Sequence, residues 1–259
     1  MASEQAVEFR ELTTIDELER LVDVFCQIWN ADTHLDLINP STLRAMVDAR
    51  CYVVGMYLEG VLVGGAVALR GPHGGHLHSH IAGVHPKSQG LGLGYQLKRH
   101  QAEWAAKEGF ARIRWTYDPL VRRNAHFNLA KLGGRVLGYE KSYYGELNDG
   151  LNDNDETDRL VVDWDVHAVP GAVGPAPVTV PVVADKWDFA ERPAAVLDCG
   201  DGLHRLVPTP VDVERLRLDD PARAHAWRLG VRAGFAEADA AGFVVTGFNN
   251  DGWYVLRRP

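Results

Sequence analysis

Gln89-Gly90-Leu91-Gly92-Leu93-Gly94 is the stretch of this chain best suited to hold a charged ligand. It follows an apolar, strand-like run, Leu77 to Val84, and leads into a helical pattern carrying Leu93, Leu97, Trp104 and Ala105. Glycines at alternate positions at a helix start leave backbone N–H groups uncovered. The positive end of the helix dipole adds to their pull on an anion, so the turn suits a phosphate or diphosphate. Two commoner phosphate loops are excluded by spacing. A Walker loop requires Lys followed by Ser or Thr after its last glycine, where this chain has Tyr95-Gln96. A dinucleotide fingerprint requires glycine at Tyr95 if counted from Gly90, or at Leu97 if counted from Gly92. The plain alternative is an ordinary glycine-rich turn.

Just upstream, His76, His78 and His80 alternate along the strand-like run. A period of two puts His78, His80 and Ala82 on one face. Imidazole has an intrinsic pKa of ~6.5 and takes up a proton near neutrality. Three imidazoles on one face also make a metal set, but no neighbouring residue adds an acidic ligand, and no metal is expected.

The elements that must position these groups follow from periodicity. Val7 to Leu12 reads as a first strand, and Thr14 caps a helix with Leu18, Leu21, Val22, Phe25 and Ile28-Trp29 at helical spacing. Ser41 opens a second helix through Leu43 and Met46. Cys51 to Leu58 and Val61 to Leu69 are strands joined by a tight turn at Glu59-Gly60. The helix after the glycine loop stops near Gly109, and Ile113 to Tyr117 is the next strand. Pro119 and Arg122-Arg123-Asn124 open a helix that ends at Gly133-Gly134. Val136 to Tyr144 and Leu160 to Val166 are two more strands.

Residues 169–185 shift to Pro, Gly, Val and Ala, and Val178-Thr179-Val180 could add an edge strand. Beyond them, Asp220-Pro221 is a helix start, Trp227, Val231 and Phe235 form an apolar stripe, and Gly242 closes the helix. Phe243 to Phe248 and Trp253 to Leu256 flank the turn Asn249-Asn250-Asp251-Gly252. About seventy residues barely build a core alone, so 186–259 is expected to pack on what precedes it.

With 259 residues, 46% hydrophobic and 24% charged, the composition is that of a globular protein. A net charge of -8 argues against a nucleic-acid surface and against anionic lipid. No apolar run approaches a membrane span, and Met1 to Gln5 lacks a signal-peptide pattern. Cys26, Cys51 and Cys199 are scattered, as in a reducing cytoplasm, and suit neither a disulfide framework nor a zinc site.

The Gln89-Gly90-Leu91-Gly92-Leu93-Gly94 loop with its Val84-His85-Pro86 lead-in resembles the Gln/Arg-x-x-Gly-x-Gly loop and Val-x-Pro of the GNAT superfamily of N-acetyltransferases. The order of strand, two helices, three strands, helix, strand, helix and two strands is similar to the arrangement of that family over roughly residues 5 to 168. The resemblance implies an α/β (α+β) fold, a mixed and mostly antiparallel sheet flanked by helices. Residues 1–168 are then the acetyltransferase domain, 169–185 a connector, and 186–259 a small α+β extension. The chain is similar to the predicted members of the superfamily that carry such an extension.

The resemblance further implies acetyl-coenzyme A as co-substrate. Backbone groups of Gly83 and Val84 would pair with its pantetheine arm, Gln89, Gly90, Leu91, Gly92, Leu93 and Gly94 would hold its pyrophosphate, and Asn124 would hydrogen-bond the pantetheine. Many members place a glutamate four residues before the valine of the lead-in; here that position is His80, the candidate general base. The tyrosine that often protonates the departing thiolate is replaced by Leu129, which has no proton to give. Tyr117 and Asn128 are substitutes by type, as are Tyr143 and Tyr144. Asp118 either attracts a cationic amine or caps the next helix, and Asp158-Arg159 reads as a rim pair. The expected partner is a primary amine of a small molecule or peptide, attacked directly in a ternary complex, with a homodimer left open. A non-catalytic acyl-coenzyme A sensor is the alternative.

Overall fold

The computed structural model describes residues 7–34, 37–72, 75–145, 155–168 and 196–259. The connector 169–185, with Val178-Thr179-Val180, lies outside the described residues. The chain groups into two compact units. The first comprises Met1–Trp115, Asn148–Leu151 and Asp165–His167. The second comprises Thr116–Leu147, Asn152–Trp164 and Ala168–Pro259. The compact grouping changes inside a strand, at residue 115.

In the first unit, β1 (Val7–Glu11), β2 (Tyr52–Leu58), β3 (Val61–Arg70) and β4 (His76–Val84) form an antiparallel ladder in that order. β5 (Arg112–Tyr117) joins it alongside β4 in parallel. Glu59 and Gly60 both adopt positive φ, 52° and 82°, the backbone that a tight right-twisted hairpin requires. Helix α1 (Ile15–Trp29) opens with a reciprocal cap. The Thr14 side chain accepts from the Glu17 amide, and the Glu17 carboxylate accepts from the Thr14 amide at 2.9 Å. Its apolar stripe, Leu18, Leu21, Val22 and Phe25, is wholly buried against Leu43, Met46, Val53 and Val67. Each such side chain contributes roughly 1.5–3 kcal/mol by leaving water, which is why this stripe fixes the helix to the sheet. Helix α2 spans Pro40–Asp48, and its cap is Asn39, which accepts from the Thr42 amide at 2.8 Å. The start expected at Ser41 therefore moves back to an Asn-Pro pair, since proline at the first position gives up only an amide that has no helical partner. Helix α3 spans Leu93–Lys107.

The second unit holds the end of β5, the short α4 (Arg122–Ala125) and a π-helical turn, His126–Lys131, closed by the Leu132 amide on the Phe127 carbonyl. β6 (Arg135–Glu140) and β7 (Arg159–Asp165) pair antiparallel. β6 ends before Tyr143 and Tyr144, which the sequence reading had included in this strand; both lie exposed in the following turn. A separate four-stranded sheet, ordered β10-β11-β9-β8, contains β8 (Leu197–Asp198), β9 (His204–Pro208), β10 (Val244–Phe248) and β11 (Trp253–Arg257). Two helices accompany it, α5 (Val213–Asp219) and α6 (Pro221–Ala240). Asp220 caps α6 as its sequence implies, accepting from the Arg223 amide at 3.0 Å.

Candidate active site

β4 and β5 share a ladder over only three pairs, His76 with Arg112, Leu77 with Ile113 and His78 with Arg114. Past His78, β4 continues to Val84, hydrogen-bonded to β3 alone within the first unit. β4 also carries an irregularity the sequence did not announce. Ser79 pairs with Ala68 and Ile81 with Val67, so His80 is the extra residue of a β-bulge. A bulge breaks the strict period of two and re-aims the bulged side chain.

His80 is half-buried, and its ring lies 6.3 Å from that of His78, centroid to centroid. Burial pushes the His80 imidazole below its ordinary pKa. The same holds for His78, where His80, His76 and Lys98 add to the effect of burial. Both are therefore neutral at physiological pH, the form able to accept a proton. Among the described residues, no group of three His, Cys, Asp or Glu is placed to hold a metal ion.

The glycine loop follows a short 3-10 turn, Pro86–Ser88. Gly90 and Gly92 have φ of +84° and +75°, and a Cβ built on either meets no atom within 4 Å. Left-handed backbone, not crowding within the protein, is what favours glycine there. Gly92 caps α3 with no side-chain hydrogen bond. The amides of Tyr95 and Gln96 donate to the Gly92 carbonyl, whereas those of Gly90, Leu91, Gly92, Leu93 and Gly94 have no acceptor among the described residues. Five free donors at the start of a fifteen-residue helix fit a diphosphate group. The Gln89 amide group points back instead, donating to the Val84 carbonyl at 3.3 Å and tying the loop to the end of β4. At Gly83 a Cβ would lie 2.6 Å from the ring of Trp29, so α1 packs against bare backbone there.

The remaining sequence-derived candidates belong to the second unit. Asn124 is half-buried on α4. Asn128 is buried in the π-helical turn, where its carbonyl accepts from the Gly134 amide at 2.9 Å. Tyr117 is a buried core phenol beside Tyr254, and burial drives its pKa up. A hydroxyl sealed in a core is badly placed to protonate a solvent-facing thiolate, and the acid role expected for it gains no support.

Asp118 and Asp158 take roles the sequence reading missed. Asp118 is buried and receives Arg228 through two bonds of 2.7 and 2.8 Å and Arg217 at 2.6 Å. Its Oδ1 also accepts from the Leu120 amide at 2.9 Å, but the N-cap of α4 is Val121 with no side-chain bond, so Asp118 does not cap that helix, and its carboxylate is taken up by Arg228 and Arg217. Asp155 bonds the same two guanidiniums at 2.8 and 3.1 Å. Asp158-Arg159 is not a rim pair. Asp158 is wholly buried, bonded to Arg232, Tyr139 and the Ser142 amide, and Arg159 is buried with it. Arg228 and Arg232 stand four residues apart on α6, the one local signal that could have pointed to this network.

Residues 15–134 match the family model described as the acetyltransferase (GNAT) family. Among solved structures, the chain is similar to the N-acetyltransferase from Staphylococcus aureus Mu50, 12% identical over 62% of this chain and 99% of that one, with a TM-score of 0.50. It is also similar to the ribosomal-protein-S18-alanine N-acetyltransferase from Escherichia coli, 16% identical over 65% of this chain and 99% of that one, with a TM-score of 0.49. No curated protein matches the chain by sequence. The match over residues 15–134 marks a GNAT acetyltransferase domain within this chain.

Proposed function

We propose that the protein is an acetyl-coenzyme A-dependent N-acetyltransferase that modifies a primary amine of a small molecule or peptide. The observation that carries this reading is the row of five free amides from Gly90 to Gly94 at the N-terminus of α3. These would hold the diphosphate, and the part of β4 beyond His78 would offer backbone groups at Gly83 and Val84 to the rest of the ligand. Acetyl-coenzyme A, when bound, supplies an activated acetyl thioester. The chain must then take a proton from the ammonium of the acceptor, and His80 is the group for it. Its imidazole is half-buried, held neutral by burial, and hydrogen-bonded to no described residue. Direct attack by the amine is favoured, because Cys26, Cys51 and Cys199 lie outside β4 and β5.

The test is incubation with acetyl-coenzyme A and a panel of primary amines while free thiol is followed. Thiol release above background with at least one amine is expected. Tight coenzyme binding without release from any amine would instead favour an acyl-coenzyme A sensor.

A further inference from the structure

Lys98 lies on α3 and is buried to 5% of its exposure, yet no carboxylate is among its partners in the described residues. Its ammonium donates to the Ser79 hydroxyl at 3.0 Å and to the Gln101 side-chain oxygen at 3.0 Å, and it stands 3.9 Å above the centroid of the Trp115 ring. Those three partners account for its three N–H donors.

Two of the partners mark one place. The last ladder pair between β4 and β5 is His78 with Arg114, so Ser79 and Trp115 are the first residues past the end of the ladder on either strand. Ser79 also immediately precedes the bulged His80. Lys98 thus bridges the two strands at the point where their own hydrogen bonds stop. We propose that Lys98 is a positioning residue. Its ammonium pins Ser79 to Trp115, sets the gap opened between the strands, and fixes the direction in which His80 leaves β4.

A hydrophobic side chain of similar length would fill the site at far lower desolvation cost. Burial without a counter-ion pushes the Lys98 amine down to about 7, which measures how much the fold forgoes to keep nitrogen there. Gln101, the third partner, is itself wholly buried and leaves its amide nitrogen unpaired, so its orientation also serves the lysine.

The inference rests on the acetyltransferase reading, and the experiment separates the two. Coenzyme A binding to the full-length protein is measured by calorimetry for the wild type, Lys98→Met, Ser79→Ala and the double variant, with thermal melts as a control. Thiol release with a responsive amine supplies kcat and KM. Lys98→Met is expected to weaken coenzyme A binding at least tenfold and Ser79→Ala about threefold, with the double variant no weaker than Lys98→Met. The kcat falls as well, while the KM for the amine stays unchanged; a general loosening of the fold would move every parameter together. Should Lys98→Met fail to fold, Ser79→Ala alone decides. Wild-type affinity and kcat in that variant overturn the inference. A wild-type protein that ignores coenzyme A overturns the acetyltransferase reading, and the inference falls with it.

Discussion

Asp118 and Arg228 face each other in a two-bond fork, 2.7 and 2.8 Å, although 110 residues separate them in the chain. Arg228 is fully buried and Asp118 nearly so. Burial raises the Asp118 carboxyl, but Arg228, Arg217 and Arg159 outweigh it and hold the group well below the usual carboxylate range. The fork joins the segment that leaves β5 to helix α6, both within the second unit.

Removing one partner leaves an uncompensated buried charge. Arg228→Ala or Asp118→Ala should therefore cost about 3–5 kcal/mol in urea unfolding. Replacing Arg228 with Met and Asp118 with Leu together should cost less than the sum of the single changes, because no lone charge remains.

The same pair sets a response to acid. The folded Asp118 has a lower pKa than the unfolded chain, where an aspartate titrates near ~3.9. Its contribution is then complete above that value and is lost as the pH falls toward the folded pKa. Asp158 shifts the same way, since Arg232, Tyr139 and the Ser142 amide outweigh its burial. Urea midpoints should fall steeply below about pH 4 in the wild type and less steeply in Asp118→Asn.

Where the signal was local, the sequence disclosed the structure. The Thr14 cap, the Glu59-Gly60 turn and the Asp220-Pro221 helix start are short-range devices whose geometry follows from residue type, and each forms as expected. The glycine loop was legible for the same reason, because φ at Gly90 and Gly92 is a property of single residues. The Asp118–Arg228 fork was not, since a charged residue reads as solvent-facing until a partner more than a hundred positions away is known. Nor was the bulge at His80, which depends on the register with β3. β9 and α5, five and seven residues long, are too short for periodicity to reveal.

Gly92→Val tests the phosphate loop. A β-branched residue at a φ of +75° is strained by roughly 1–2 kcal/mol, and it pulls the loop backbone away from the conformation that leaves its amides free. Calorimetry should show coenzyme A binding lost at millimolar concentration, with a melt only slightly lowered. Wild-type affinity would remove the loop from the site.

His80→Gln should lower kcat by ~10²–10⁴-fold, the usual worth of a positioned base, while coenzyme A affinity stays at the wild-type level. The sign of the pH dependence follows from burial. A depressed imidazole pKa keeps the base neutral below 6.5, so kcat/KM in the wild type should hold to pH values under 6.5 before its acid limb begins. That limb should vanish in His80→Gln. A variant that turns over like the wild type at every pH would leave His80 without a part in proton removal.

Lys98 gives stability a slope of the same sign as Asp118, in a higher pH window. In the fold its amine titrates at about 7, against ~10.4 in the unfolded chain. Between those values the unfolded chain binds the extra proton, so stability rises with pH across that window. The penalty is complete below pH 7, and for a group so deeply buried it is on the order of 4 kcal/mol. Urea unfolding of the wild type from pH 7 to pH 9.5 should show this gain, on top of whatever the other groups contribute. Lys98→Met has no amine to desolvate, so its curve should be flatter over the same range and should lie above the wild type at pH 7. Parallel curves for the two proteins would mean that Lys98 keeps an ordinary pKa in the fold, and that water reaches the nitrogen between Ser79 and Trp115.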